Sequence, residues 1–354
     1  MDIDFLKKLV ATPSPSGFEQ PLQKLVREKF DNSADEVKTD VNGNVFGIIN
    51  ANGKPRIMVA AHSDEIGFMV KHITDEGYVY FAAVGGVDIS LMPGQKIEIH
   101  TGRGIVRGIV GKKPIHLMDE EDKKKKQEIY NIWIDIGAGN KKKAEKIISI
   151  GDPITFSGQF NTLQSKQVTA RSFDDKAGIF ILTEIMKSLS GENLKAAVFC
   201  VSTVQEELGL RGATTSAYEI SPDIGIAVDV EFSSDYPDID KRRVGEISLG
   251  KGPVLYKGAN INPVIGELLI QTAEKKKIPY QLSGSPKATG TDANVMQLTR
   301  SGVATALVGI PNRYMHTPVE VVSLTDLENT VKLLTSFILK LDKHIELVPE
   351  NFKA

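Results

Sequence analysis

Polar residues of a few kinds recur where apolar runs stop. "IMVAA" (57–61) ends in His62-Ser63-Asp64, and "AAVFCVSTV" (196–204) stops just before Glu206-Glu207. "IGIAVDV" (224–230) carries Asp229 near its end, and "VATALVGIP" (303–311) precedes "NRYMHTPVE" with His316. "SFDDKAG" (172–178) puts Asp174 and Asp175 ahead of a helical pattern. Two histidines, several carboxylates and no cysteine are the donors of a divalent ion such as Zn²⁺, Co²⁺ or Mn²⁺. Two such ions about 3.5–4 Å apart need a carboxylate to bridge them. His62, Asp174, Glu207, Asp229 and His316 supply three ligands to each of two ions if Asp174 is shared. A bridged pair brings the pKa of its water toward neutrality, and the chemistry then needs a base that is not a ligand. Glu206 is the candidate base: strand neighbours point to opposite faces, which turns it to the water while Glu207 faces the ion.

Each residue alone has an ordinary explanation. A histidine at a strand end is commonly a satisfied polar group, adjacent glutamates are commonly solvated, and Asp-Asp before a helix is commonly a cap with a first-turn acid. Their coincidence at several strand ends is what singles them out. The other histidines, His72, His100, His116 and His344, fall in an intervening segment or the last helix and read as structural or surface.

Ligands of open α/β sheets bind beyond the carboxyl ends of the strands, so these residues require such a sheet. The sequence provides one in two pieces. Residues 1–68 read as two helices around a Pro/Ser/Gly turn and then a buried strand, and 168–354 alternate strands with helices. That alternation predicts a mixed, largely parallel sheet covered by helices on both faces. The last helix carries a capping box, Thr325 with Glu328, and an apolar face of Leu327, Val331, Leu334, Ile338 and Leu341. Between the pieces, 69–167 holds short apolar bursts at turn spacing, the pattern of an inserted small β-barrel. Its stretch "DEEDKKKKQE" (119–128) reads as a solvated charged loop.

Composition excludes several classes. The 354 residues are 41% hydrophobic with a net charge of −2, which gives no reason to invoke nucleic acid or an anionic membrane. The one cysteine, Cys200, rules out an internal disulfide and sits in an apolar run, as a core residue would. "MDIDFLKKLV" lacks the long apolar core of a leader, and no run reaches the roughly 18 apolar residues of a membrane span. The expected compartment is the cytoplasm.

At "PSGFE" (15–19), "AAHSDEIGFMV" (60–70), "SFDDKAG", "VQEELGLRGA" (204–213), "AVDV" (227–230), "GTDAN" (290–294) and "PNRYMHTPVEVVS" (311–323), the sequence resembles the tetrahedral, or glutamyl, aminopeptidases, di-metal exopeptidases whose members are sometimes labelled endoglucanases. The resemblance spans essentially the whole chain. It implies a di-zinc exopeptidase-like fold, with His62, Asp174 and Asp229 on one metal and Asp174, Glu207 and His316 on the other. It implies Glu206 as general base and Asp64 as the group that orients His62. It further implies a cis bond between Asp174 and Asp175, short peptides as substrates, and dimers assembling into a hollow dodecamer through the inserted domain. Lys176 stands where an arginine is common in the family.

The ligand set leaves open a di-metal amidase or deacylase on the same scaffold. A glycosidase needs two carboxylates flanking a sugar and has no use for the histidines, and a non-catalytic metal-binding assembly protein has no use for Glu206. Substrate preference is less legible. "GSPKATGTDAN" (284–294) offers Gly290, Thr291 and Asp292 as pocket residues, with Lys287 at the edge favouring acidic side chains or simply solvated.

Overall fold

A computed structural model of the chain describes residues 1–351. Helices Ile3–Ala11 and Gln20–Phe30 come first, then strands β1 (Glu36–Thr39), β2 (Val45–Ile49) and β3 (Arg56–His62). Six strands follow: β4 (Gly67–Ile73), β5 (Val79–Val84), β6 (Lys96–Thr101), β7 (Gly104–Lys112), β8 (Ile132–Asp135) and β9 (Pro153–Phe156). They pair in the order β4-β5-β8-β7-β6-β9 and close into a barrel, which leaves no open edge. Strands β10 (Asn161–Thr162) and β11 (Gln167–Ala170) lead to helix Phe173–Leu189. In the main, the rest alternates: β12 (Ala197–Thr203), helix Arg211–Ile220, β13 (Ile224–Phe232), β14 (Val254–Gly258), helix Pro263–Lys276 and β15 (Gln281–Ser285). Helix Ala293–Gln297, β16 (Ala304–Asn312), β17 (Glu320–Ser323) and helix Leu324–Ile338 complete it.

Eight strands form one mixed sheet in the order β1-β2-β12-β3-β13-β16-β14-β15. Its centre, β12-β3-β13-β16, is parallel, and β2 and β14 flank it antiparallel. These central strands are buried on both faces, which is why they read as unbroken apolar runs. Alternation along β3 divides its side chains. Ile57, Val59 and Ala61 join the large core with Val26, Phe180 and Leu334, while Met58 and Ala60 pack with Ala213, Ala217 and Met296 on the opposite face. The barrel has its own core, where Phe68 meets Phe81 and Phe156 edge-on at 5.2 and 5.5 Å between ring centres. No described helix is long and apolar enough to cross a membrane.

Three local expectations change. Helix Leu324–Ile338 is capped by Ser323, whose hydroxyl accepts from the Thr325 amide at 3.2 Å. Thr325 therefore lies inside the helix, and Glu328 pairs with Lys332 instead of closing a box. Within 119–128, Glu120–Lys124 form a short helix with Lys123 and Lys124 in its last turn, where cations are favoured. His344 also lies beyond the last helix, which ends at Ile338.

Register sets where the loops begin. Thr203 pairs with His62 across β12 and β3, and Asp229 pairs with Gly309 across β13 and β16. The loops leaving these strands therefore start side by side at one end of the sheet. A buried ion cluster fastens two of the segments there. Glu65 meets the Arg171 guanidinium and the Lys176 ammonium, the latter at 2.9 Å, and Lys176 also donates to the Thr12 carbonyl at 2.7 Å. All three charged residues are buried. Burial opposes ionisation of Glu65, but the two cations outweigh it and bring its carboxyl down from 4.5 to about 2. Its stabilising contribution is thus full above pH 4.5 and is lost as pH falls through about 2. Glu65→Gln leaves two buried cations facing each other and should cost about 3–5 kcal/mol in urea unfolding near neutral pH. The gap to wild type should narrow below pH 4.5; a loss under about 1 kcal/mol would contradict this role for the cluster.

Candidate active site

His62 closes β3. Its Nδ1 lies 3.0 Å from the Asp64 carbonyl oxygen, an atom that can only accept, so Nδ1 carries a proton in that contact. The opposite nitrogen, Nε2, lies 3.0 Å from Asp174 Oδ1 and 3.8 Å from Asp229 Oδ1. On the other side of Asp174, Oδ2 is 3.2 Å from His316 Nε2, which is also 3.2 Å from Glu207 Oε1. The carboxylate of Asp174 thus presents one oxygen to each histidine. The ligand atoms of His62, Asp174 and Asp229 all lie within 4.8 Å of one another, as do those of Asp174, Glu207 and His316.

The peptide bond between Asp174 and Asp175 is cis. Asp175 is buried and accepts from the His62 amide at 3.2 Å and the Gly178 amide at 3.0 Å. Across the site, Glu320 holds both sides of the bridge: Oε2 accepts from the Asp174 amide at 2.9 Å and Oε1 from the His316 amide at 3.1 Å. Sequence reasoning passed over Glu320; its signal was a carboxylate four residues after His316 in "HTPVE".

The two glutamates do not sit in a strand. β12 ends at Thr203, and Glu206 and Glu207 lie in the turn before helix Arg211–Ile220. Asp64 shapes that turn: Oδ1 accepts from the Glu206 amide at 2.9 Å, and Oδ2 from the Glu207 amide at 3.1 Å and the Ser16 hydroxyl at 2.7 Å. The separation of the two side chains therefore comes from an anchored turn and not from strand alternation. Asp64 Oδ1 is 3.5 Å from His62 Nδ1, farther than the carbonyl, so the Asp64 carboxylate mainly fixes Glu206 and Glu207.

Charge at the site is unbalanced without cations. Burial first, then neighbouring acids such as Asp229, pushes Glu206 up to about 10 despite the pull of His62. Asp175 and Asp229 are raised well above the usual carboxylate range, chiefly by burial. Burial works against the imidazolium of His316, yet the Asp174 and Glu207 carboxylates outweigh it and hold the ring up to about 11. Burial also disfavours ionised Asp174, but hydrogen bonds from His316 and His62 keep it below the ordinary value. Two overlapping sets of His and carboxylate donors in a site short of positive charge fit divalent ions. With ions present, the same carboxylates ionise and the histidines give up their extra protons.

A cavity of about 490 Å³ opens over these groups, lined by His62, Asp174, Glu206, Glu207, Asp229 and His316 together with Glu231 and residues 283–285 and 287–291. Gly290 and Thr291 are on its wall. Asp292 is not: its Oδ2 takes the Thr203 hydroxyl at 2.7 Å beneath the strand ends, and helix Ala293–Gln297 starts just after it. Lys287 is exposed at the rim. The barrel also reaches the site through Gly85. Its φ is 76°, and a Cβ there would stand 2.8 Å from the Ile66 side chain and 3.2 Å from Glu207 Oε2. Only glycine fits that conformation and approach.

A parallel-centred α/β sheet with two overlapping His/carboxylate sets at its strand ends has the layout of a metallohydrolase. The chain belongs to the M42 glutamyl aminopeptidase family, whose model matches residues 43–333. It is 40% identical over 341 residues to the lysyl aminopeptidase of Pyrococcus furiosus, covering 96% of this chain and 97% of that protein. Among solved structures, a TET aminopeptidase from Thaumarchaeota archaeon SCGC AB-539-E09 superposes with a TM-score of 0.92 at 35% identity, covering 96% of each chain. The Pyrococcus horikoshii TET1 peptidase, which can assemble into a tetrahedron or a large octahedral shell, gives 0.86 at 33% identity, covering 96% of this chain and 99% of that one.

Glu320→Gln keeps the side chain's shape but replaces one of its two accepting oxygens with an amide group that faces a backbone N–H. Zn²⁺ affinity, followed by calorimetric titration, should fall about 10–100-fold while the circular dichroism spectrum is retained. Unchanged affinity would mean that Glu320 does not hold the two loops in place.

Proposed function

We propose that this chain is a di-metal aminopeptidase that removes N-terminal residues from short peptides. The observation that carries the reading is the position of Asp174, shared between two donor sets, with the Glu206 carboxylate on the wall of the same cavity. His62, Asp174 and Asp229 would hold one divalent ion and Asp174, Glu207 and His316 the other. Bound there, the ions supply Lewis acidity toward the peptide carbonyl and bring the pKa of a bound water toward neutrality. Zinc, cobalt and manganese share the donor preferences of this set.

The remaining work belongs to the chain. Glu206 accepts a proton from the attacking water at a carboxylate oxygen and delivers it to the nitrogen of the leaving amine. Water is thereby added across the C–N bond, giving a free amino acid and a peptide shorter by one residue. The burial of Glu206 supports this role, because a proton held away from bulk water stays available for the second transfer. Asp64, anchored to both amides of the turn, keeps the Glu206 carboxylate in place while Glu207 serves as ligand. The charged α-amine of a peptide meets the acids Asp174, Glu206, Glu207 and Asp229 on the cavity wall, which favours chain ends over internal bonds.

The units 1–68 and 168–354 would form the catalytic domain and 69–167 the assembly domain. The exposure of Ile105 and Ile109 on β7 supports association through the barrel, and the assembling relatives point to a closed multi-subunit shell such as a dodecamer built from dimers. The family's description names glutamyl and the curated relative names lysyl, so neither fixes the residue removed.

Glu206→Gln should lower kcat on an alanyl anilide by about 10²–10⁴ while bound metal, measured by plasma mass spectrometry, stays at the wild-type ratio. Turnover within a few-fold of wild type would remove Glu206 from the role of base. Separately, EDTA should abolish hydrolysis and Zn²⁺, Co²⁺ or Mn²⁺ should restore it; full activity of the chelated protein would refute metal dependence.

A further inference from the structure

One carboxylate on the cavity wall has no part in that scheme. Glu231 lies two residues beyond Asp229 on β13, so alternation places it on the same face, about 7 Å farther along the strand. It is half-buried, lines the cavity, and has no hydrogen bond or ion pair among the described residues. The neighbouring strand makes room for it. At Gly309, opposite Asp229, a Cβ would stand 3.0 Å from the Glu231 Cβ and 3.2 Å from the Tyr256 hydroxyl. Any side chain there would fill the slot between Glu231 and Tyr256. Leu307, two residues back on the same face of β16, and Met315 and Tyr256 give the slot apolar walls, with exposed Phe232 and Val244 at its edge.

Resting on the aminopeptidase reading, the geometry points to Glu231 as the residue that selects the first side chain of the substrate, favouring a long aliphatic chain that ends in a cation: lysine or arginine. The apolar walls accommodate the methylenes, and the carboxylate receives the ammonium or guanidinium. The reach matches, since an extended lysine side chain spans about 6 Å from Cα to Nζ, close to the two-residue step from the ligand Asp229 to Glu231. A half-buried carboxylate without a partner disfavours an uncharged guest, which would desolvate it without compensation, and repels an acidic one. Lys287 is the opposing candidate, but it is exposed at the rim, where solvent screens its charge.

The test uses the full-length, metal-loaded protein with lysyl, norleucyl, leucyl and glutamyl anilides. Norleucine repeats the aliphatic stem of lysine without its charge. Wild type should show a kcat/KM for the lysyl substrate at least about tenfold above norleucyl, with glutamyl poorest. Glu231→Gln should collapse the lysyl-to-norleucyl ratio toward one, and Glu231→Lys should move the preference toward glutamyl. Should either variant fail to fold, the wild-type lysyl-to-norleucyl ratio alone decides the charge preference. A wild-type ratio near one, a glutamyl preference, or an equal loss on all substrates in Glu231→Gln would overturn the assignment while leaving an aminopeptidase in place. The last of these would make Glu231 an anchor for the α-amine. Absence of cleavage with every substrate and metal would refute the aminopeptidase reading and this inference with it.

Discussion

Asp174 stands between two imidazoles, and everything around it follows from the difficulty of keeping acids together out of water. Two like charges 4 Å apart near a protein surface repel by about 4 kcal/mol, and burial adds a desolvation cost for each. Asp175, Glu206, Glu207 and Asp229 surround Asp174 and all respond by holding their protons more tightly than usual. Such a cluster is stable in its ionised form only with cations among the carboxylates. The scaffold must therefore hold the acids at this spacing against their mutual repulsion.

It does so by giving the loops that carry these residues anchors to backbone groups. Asp64 takes the amides of both glutamates, Glu320 takes those of Asp174 and His316, and Asp175 takes that of His62. Glu65 joins the segment after β3 to Arg171, just before helix Phe173–Leu189, and to Lys176 near the start of that helix. These anchors are themselves buried acids, so the site depends on an outer ring of carboxylates satisfied by N–H groups and cations around the inner acidic set. Beneath both, the parallel strands bring the loops to a common level, and the cores on the two faces of the sheet keep that level fixed. The barrel closes one side, where Gly85 permits close approach to Glu207.

Much of this was legible in the sequence because it follows from short-range rules. Apolar runs such as 57–61, 196–204 and 224–230 became central strands, and the mixed sheet and closed barrel appear as expected. The residues gathered at one end, His62, Asp174, Glu206, Glu207, Asp229 and His316, were visible as polar groups beyond those runs. What the sequence hid depends on the tertiary path of turns. Glu206 and Glu207 read as a strand end, but their directions come from a turn that Asp64 anchors from 142 and 143 residues away. Asp292 read as a pocket residue, but its carboxylate turns inward to Thr203. Ser323 displaced Thr325 as the helix cap because β17 ends at Ser323 and the helix begins at Leu324, two residues earlier than the pattern implied. Glu320 sat within the stretch 311–323 with nothing to mark its role, and Glu231 carried no motif; hydrogen bonds reveal what the first holds, and register and cavity what the second faces.

A di-metal site here requires two cations sharing Asp174. Anomalous diffraction from crystals grown with Zn²⁺, recorded on both sides of the zinc absorption edge, tests it most directly. Two peaks per chain are expected about 3.5–4 Å apart, one against His62, Asp174 and Asp229 and the other against Asp174, Glu207 and His316. A single peak, or two peaks with Asp174 bound to neither or to only one, would contradict it.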